Sequence, residues 1–413
     1  MARSSSSGRR CRRHPAVTGW LALALAAAVA ALAALVPAAA AMPETARFMA
    51  SEDPAADPDG CVARLFSGQD GGPNALPTLI TNVFFVKVAV QFPTLEGDEL
   101  CGLESAIRAF GRQQLEHPNI TVCMFLLTTA DFILPGTVHA IQQLYGTRLH
   151  VLLWEDYMAR WRAAGTLPHM LQWFDGGQWK EGFVLNNLSN GMRLVLLYNH
   201  GGAYFDLDIV HLQAPRNRTN FISWQRTNHL LNNAALRFQQ HFDYLEVTSR
   251  RFAEKFKGKI WGNNGPNRLT ETWSEFCNST ASAQTADAGT PLPAWCSEIQ
   301  LLPPAAYYPV YFQDRIQLYS EIAGRKVTIG VDTYGAHLWK AMKNKVSVVE
   351  VDSIFHKLAR QVCPQTLIDM GLAGLSPSRL AKTGTQALPE AFNPSAQASR
   401  RARTRRPTRV GQP

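Results

Sequence analysis

A mainly parallel α/β sheet flanked by helices is the fold this sequence predicts, and three observations carry the prediction. Between about residue 79 and residue 153, β-branched and aromatic runs alternate with helical patterns, the order that builds parallel sheets through helical crossovers. The chain has 413 residues, 46% of them hydrophobic, enough to bury a large core. Residues 186–212, NNLSNGMRLVLLYNHGGAYFDLDIVHL, repeat the helix-to-strand transition around Gly201-Gly202, and there the strand carries two acids.

Taken from the N-terminus, residues 1–15 read as a cytosolic tail, with five arginines and no acid. Residues 16–42, AVTGWLALALAAAVAALAALVPAAAAM, carry no charge and exceed the roughly 20 residues needed to cross a bilayer. With the arginines retained on the cytosolic side, a single-pass type II signal-anchor with a lumenal body is expected. A cleaved signal peptide is the alternative, because small residues follow Pro37. Residues 43–77, rich in Pro, Gly and Asp, read as a flexible stem, residues 78–370 as the folded domain, and residues 371–413 as a disordered basic tail.

Within the domain, ITNVFFVKVAV and NITVCMFLLT are buried strands separated by the helical run CGLESAIRAF, and VHAIQQLYGTRLHVLLW supplies a helix and a third strand. FISWQ and HLLNNAALRF are strand-like, FDYLEVTSRRFAEKF is an amphipathic helix, and the Asn-Gly-Pro turn of WGNNGP leads into another helix. Trp154, Trp161, Trp173 and Trp179 suit either a sugar-stacking platform or, as aromatics more often do, the core.

The net charge of +9 points away from nucleic acid once it is mapped. The two tails hold +5 and, over residues 376–413, +7, which leaves −3 on the middle. Past Cys11, six cysteines remain, an even number suited to three disulfides in an oxidising compartment, with Cys277–Cys296 the favoured pair. No cysteine or histidine spacing suggests zinc. Asn119, Asn187, Asn217 and Asn278 head glycosylation sequons, of which Asn187, entering the buried helix, is expected to stay bare.

Asp206 and Asp208 sit two positions apart in AYFDLDIV. On a strand they project from one face, roughly 6 to 7 Å apart, and hard oxygens so placed suit Mg²⁺ or Mn²⁺ carrying phosphate oxygens. A structural salt bridge and a solvated strand end are the other readings. The apolar setting favours the cation, since unpaired buried charge costs several kcal/mol.

The ordered set LSNGMRLVLLYNHGGAYFDLDIV, LNNAALRF, WGNNGP, LLPPAAYYPV and TYGAHLW resembles the α-1,4-glycosyltransferase family over residues 79–370. The resemblance implies a GT-A fold and an enzyme of the Golgi membrane. It implies retaining transfer of galactose, or N-acetylgalactosamine, from a UDP-sugar held through Mn²⁺ to a terminal galactose of a glycolipid such as lactosylceramide. It makes Asp206 and Asp208 the metal and diphosphate residues. Arg193 becomes a donor contact, although on sequence alone it is equally a structural ion-pair partner. Gly202, Asn264 with Gly265 and Pro266, and His337 with Trp339 join the site by position. Asn190 stands where the family pattern has Asp, so altered donor choice, slow turnover and inactivity are all open. Asp175 and Glu181 are conceivable nucleophiles that a front-face mechanism would not need.

Overall fold

The computed structural model describes residues 57, 59–67, 79–87, 94–215, 219–227, 229–277, 292–324, 327–340 and 349–371. Seven strands form one sheet in the order β3-β2-β1-β4-β7-β6-β8. These are β1 (Leu79–Lys87), β2 (Ile120–Thr128), β3 (Leu149–Leu153), β4 (Gly202–Phe205), β6 (Phe221–Arg226), β7 (Leu230–Phe238) and β8 (Gln300–Leu302). Pairings of β1 with β2 and β4, of β2 with β3 and of β6 with β8 are parallel, while β7 runs antiparallel to both β4 and β6. The predicted mixed α/β class, with a mostly parallel sheet, is therefore the observed one. A separate antiparallel pair joins β5 (Ile209–His211) to β9 (Gly335–His337).

Alternation along the strands sorts the core into two layers. From β1, Val83 and Phe85 enter one cluster with the helices α2 (Gly97–Glu116) and α3 (Gly136–Tyr145) and with the small sheet, and Phe84 enters the other. That second cluster receives α4 (Trp154–Ala164), α5 (Pro168–Asp175), α6 (Val184–His200) and α7 (Asp243–Glu254). Trp161 and Trp173 are buried there, with Trp154 and Trp179 packed against them. Trp161 and Trp173 are core and Trp154 and Trp179 are half-buried at its edge, so the four do not form one open stacking platform.

All six cysteines past Cys11 are paired, as Cys61–Cys123, Cys101–Cys363 and the expected Cys277–Cys296. The first pair corrects the stem reading at its C-terminal part. Residues Cys61–Ser67 form a helix, α1, that buries Cys61 and Leu65, and the disulfide fastens it to β2. Asn187 is buried as expected and Asn119 is exposed, while Asn217 and Asn278 lie outside the described residues. Residues 1–56, with the expected anchor, and residues 372–413 also lie outside them. No helix among the described residues is long and apolar enough to cross a membrane.

The sheet order reverses at β1, since β2 lies on one side of it and β4 on the other. In open α/β sheets such a switch point opens a crevice at the carboxyl ends of the strands. Asp206 is the first residue beyond the carboxyl end of β4.

Candidate active site

The acids do not lie on a strand. β4 ends at Phe205 and β5 begins at Ile209, so Asp206, Leu207 and Asp208 form the turn between two strands of different sheets. The Ile209 N–H donates to the Asp206 carbonyl at 3.1 Å, and the Asp206 N–H donates to the Ala234 carbonyl of β7 at 2.8 Å. Beneath the turn runs α2, and contact is so close that a Cβ on Gly102 would lie 1.8 Å from the Leu207 carbonyl oxygen. Ser105, one turn further along α2, accepts the His211 N–H at 2.8 Å. Glycine in a helix interior costs about 1 kcal/mol against alanine. That penalty at Gly102 was the available signal that something had to approach this helix.

The two carboxylates are oriented by different partners. Asp206 Oδ1 accepts the Tyr204 hydroxyl at 2.8 Å and pairs with the Arg193 guanidinium at 3.0 Å. Arg193 is 2% exposed and fixed on every side. It donates to the Ser189 carbonyl and hydroxyl and to the Asn233 carbonyl, and it lies 4.4 Å over the Tyr204 ring. Asp208 Oδ2 accepts the Lys340 N–H at 2.8 Å, and its Oδ1 lies 3.3 Å from His337 Nε2. Asp206 Oδ2 is 3.9 Å from the same nitrogen.

His337 reaches this position through the small sheet, where it stands opposite Ile209. Trp339 adopts a left-handed φ of +57°, sets its ring edge-on to His337 at 4.2 Å and donates its indole N–H to the Val310 carbonyl at 2.9 Å. Such backbone strain in a bulky residue is kept where its surroundings over-determine it. Lys340 follows, with its ammonium 2.8 Å from both Glu96 and Glu99, and Glu99 also holds Lys87 at the end of β1. Burial on its own would raise the Asp208 carboxyl; His337 and the Lys340 N–H outweigh it and bring it down to about 2. Burial works the other way on the His337 imidazole, and Asp208, then Asp206, overcome it and raise the ring above its ordinary value.

Asp206, Asp208 and His337 each present a ligand atom within 4.8 Å of the others. Two carboxylate oxygens and an imidazole nitrogen form a donor set that fits a divalent cation. Sequence position thus brought together Asp206, Asp208, Arg193, His337 and Trp339.

The remaining predicted residues are placed differently. Asn190 is 2% exposed, accepts the Asn233 amide at 2.7 Å and donates to Asn186 at 3.0 Å. It shares the Arg193 face of α6, so it borders the acid turn without touching it. Asn264 is a structural brace, accepting the Lys257 N–H at 2.9 Å and donating to Asn187 at 3.2 Å. Gly265 packs against the Asn190–Asn233 pair, leaving no room for a Cβ. Gly202 begins β4 at the end opposite the acids. With φ +102° and a would-be Cβ 2.3 Å from the Asn82 carbonyl, it serves the backbone and not a ligand. Asp175 and Glu181 are engaged at the surface by Arg162 and Lys259. Gly102, Ser105 and Asn233 belong to the site and were missed, because each arrives from a distant part of the chain.

The pattern described as the alpha 1,4-glycosyltransferase conserved region matches residues 237–370, and the glycosyltransferase sugar-binding region containing a DXD motif matches residues 148–229. Asp206-Leu207-Asp208 is the Asp-x-Asp within that second stretch. Lactosylceramide 4-alpha-galactosyltransferase of Pongo pygmaeus is 30% identical over 193 residues, 46% of this chain and 84% of that protein. The chain belongs to the α-1,4-glycosyltransferase family. The human protein of the same name is 30% identical over 46% of this chain and 52% of its own length. Human alpha-1,4-N-acetylglucosaminyltransferase is 26% identical over 44% of this chain and 51% of its own. The matched stretch thus spans about half the length of the two human relatives. Within this glycosyltransferase, the cation-competent cluster straddles both matched regions, with the acids from one and His337 from the other.

Proposed function

We propose that this chain is a retaining hexosyltransferase that moves galactose, or N-acetylgalactosamine, from a UDP-sugar in α-1,4 linkage to a terminal galactose of a glycolipid such as lactosylceramide. We further propose a GT-A fold, a type II Golgi membrane protein with residues 16–42 as anchor and the body lumenal, and Mn²⁺ as the cation. The observation that carries the catalytic reading is the convergence of Asp206, Asp208 and His337 beyond β4.

Asp206 Oδ2, Asp208 Oδ1 and His337 Nε2 would hold the cation. When bound, it supplies Lewis-acid stabilisation of the negative charge on the departing UDP. Arg193 and Tyr204 fix one acid through its other oxygen, and the Lys340 N–H fixes the second, so both free oxygens are oriented in advance. With no protein nucleophile assigned, retention requires the acceptor hydroxyl to attack C1 from the face that UDP leaves. The C1–O bond to diphosphate breaks, the new glycosidic bond forms, and the hydroxyl proton passes to the departing diphosphate.

The test is a donor screen of the full chain in detergent, with UDP-galactose, UDP-N-acetylgalactosamine and UDP-N-acetylglucosamine, with and without Mn²⁺, and lactosylceramide as first acceptor. Metal-dependent transfer from one donor is expected. Neither transfer nor UDP release from any of the three would overturn the reading. Preference for N-acetylglucosamine on a glycoprotein would move the assignment to the second human relative's activity. Asn190 favours one alternative of another class, a non-catalytic sugar-binding homologue.

A further inference from the structure

At the N-terminal end of α6, residues 181–185 and 257–262 cross in backbone contact. Gly182 and Gly258 permit the crossing. A Cβ on Gly182 would lie 2.5 Å from the Gly258 carbonyl oxygen, and one on Gly258 would lie 2.5 Å from that of Glu181. The Phe183 N–H donates to the Gly258 carbonyl at 3.1 Å, and the buried Asn187 amide donates to the Glu181 carbonyl at 2.6 Å. This clamp turns four large apolar side chains outward: Phe183 (41% exposed), Leu185 (47%), Ile260 (52%) and Trp261 (41%). The Phe183 and Trp261 rings meet edge to face, 5.0 Å apart.

The charge around the patch has a sign. Lys180, Lys255, Lys257 and Lys259 are exposed beside it against Glu181 and Glu254, on a body whose middle carries net −3. Two of the four apolar side chains are aliphatic, with no ring face for a sugar to stack on, whereas aromatic and aliphatic tips ringed by lysine are the composition of a surface seated in lipid headgroups. Asn190 follows Phe183 by seven residues of α6, about 10 Å along the axis, so the patch stands near the rim of the site.

We propose that Phe183, Leu185, Ile260 and Trp261 dock on an anionic lipid surface, holding the cleft at the headgroup level where a glycolipid presents its sugar. The proposal rests on the glycolipid reading for its purpose, and its test does not depend on turnover. The full chain is reconstituted in phosphatidylcholine vesicles containing an acidic glycosphingolipid and a diazirine-bearing phospholipid, irradiated, and digested with trypsin. Lipid adducts are expected on peptides 181–193 and 260–268, several-fold above peptide 113–148, which carries the exposed Leu115 and Leu144. The double variant Lys257→Glu/Lys259→Glu, from which trypsin releases the second segment as peptide 256–268, should reduce them at least about fivefold, each lysine near such a surface contributing about 1 kcal/mol. Adducts confined to residues 16–42, or crosslinks joining these two peptides to a second copy of the chain, would overturn the docking. Adducts on both peptides without transfer to any lipid acceptor would leave the docking standing and overturn the acceptor reading instead.

Discussion

The two walls of the cleft are built by opposite means. At the acid turn, charge is balanced by charge: Asp206 by Arg193, Asp208 by His337, and Lys340 by Glu96 and Glu99. Beside it, the buried wall of Asn187, Asn190, Asn233 and Asn264 is neutral, and amides close on one another or on backbone. A neutral amide pair has no stronger partner to exchange for. An acid pair facing an imidazole does, because a divalent cation can take the imidazole nitrogen and both carboxylates together. The charged wall is suited to exchanging a ligand, and the amide wall to holding a shape.

The largest effect should come from removing charge at the turn. Asp208→Ala deletes one free oxygen and the acceptor of the Lys340 N–H together. Transfer should fall by at least about 100-fold, the order seen when a group that stabilises developing charge is lost. Metal titration of the variant, followed by calorimetry, should show no saturable binding. Binding as in the parent chain would remove Asp208 from the cation site.

Each wall also rests on a glycine, and the two glycines should not be equivalent. At Gly102 the added methyl meets the Leu207 carbonyl oxygen, backbone that cannot rotate away. Gly102→Ala should therefore displace the turn, costing about 1–3 kcal/mol by urea unfolding and abolishing metal binding although no ligand is altered. At Gly265 the methyl meets the end of the Asn233 amide, 2.4 Å away, a side chain with freedom to turn. Gly265→Ala should break the Asn190–Asn233 bond at a cost nearer about 1 kcal/mol and leave metal binding intact. Equal loss of metal binding in the two variants would contradict the division of labour between the walls.

This division explains what was legible in the sequence. Strands and helices were, because alternation in β1 and β2 sends neighbours such as Val83 and Phe84 to opposite layers, and the one-dimensional pattern records it. The acids and His337 were legible as residue types. Their setting on a turn was not, because AYFDLDIV has continuous strand propensity and the break is imposed from outside, by Ala234 accepting the Asp206 N–H and by α2 pressing on Leu207. The amide wall was hardest to read. Asparagine at a buried position looks like a loop residue until its partner is known, and Asn233 lies 43 residues from Asn190.

Asn190→Asp is the smallest change and probes the amide wall directly. A carboxylate at this position keeps the hydrogen bond from Asn233, and Asn186 need only turn its amide to donate where it now accepts. Two donors would then face the new charge, which lies one helical turn from the Arg193 guanidinium. Burying it costs little under those conditions, whereas an unpaired buried carboxylate would cost several kcal/mol. Unfolding should shift by less than about 1 kcal/mol. Transfer from UDP-galactose should rise, by less than about tenfold, because a charged acceptor binds a sugar hydroxyl roughly twice as strongly as a neutral one. A rise would show that the wall takes part in donor recognition, with asparagine tuning an active enzyme. No rise, with metal and UDP binding unchanged, would separate the two walls functionally and favour a sugar-binding protein in which the charged wall keeps its ligand and the neutral wall no longer promotes its reaction.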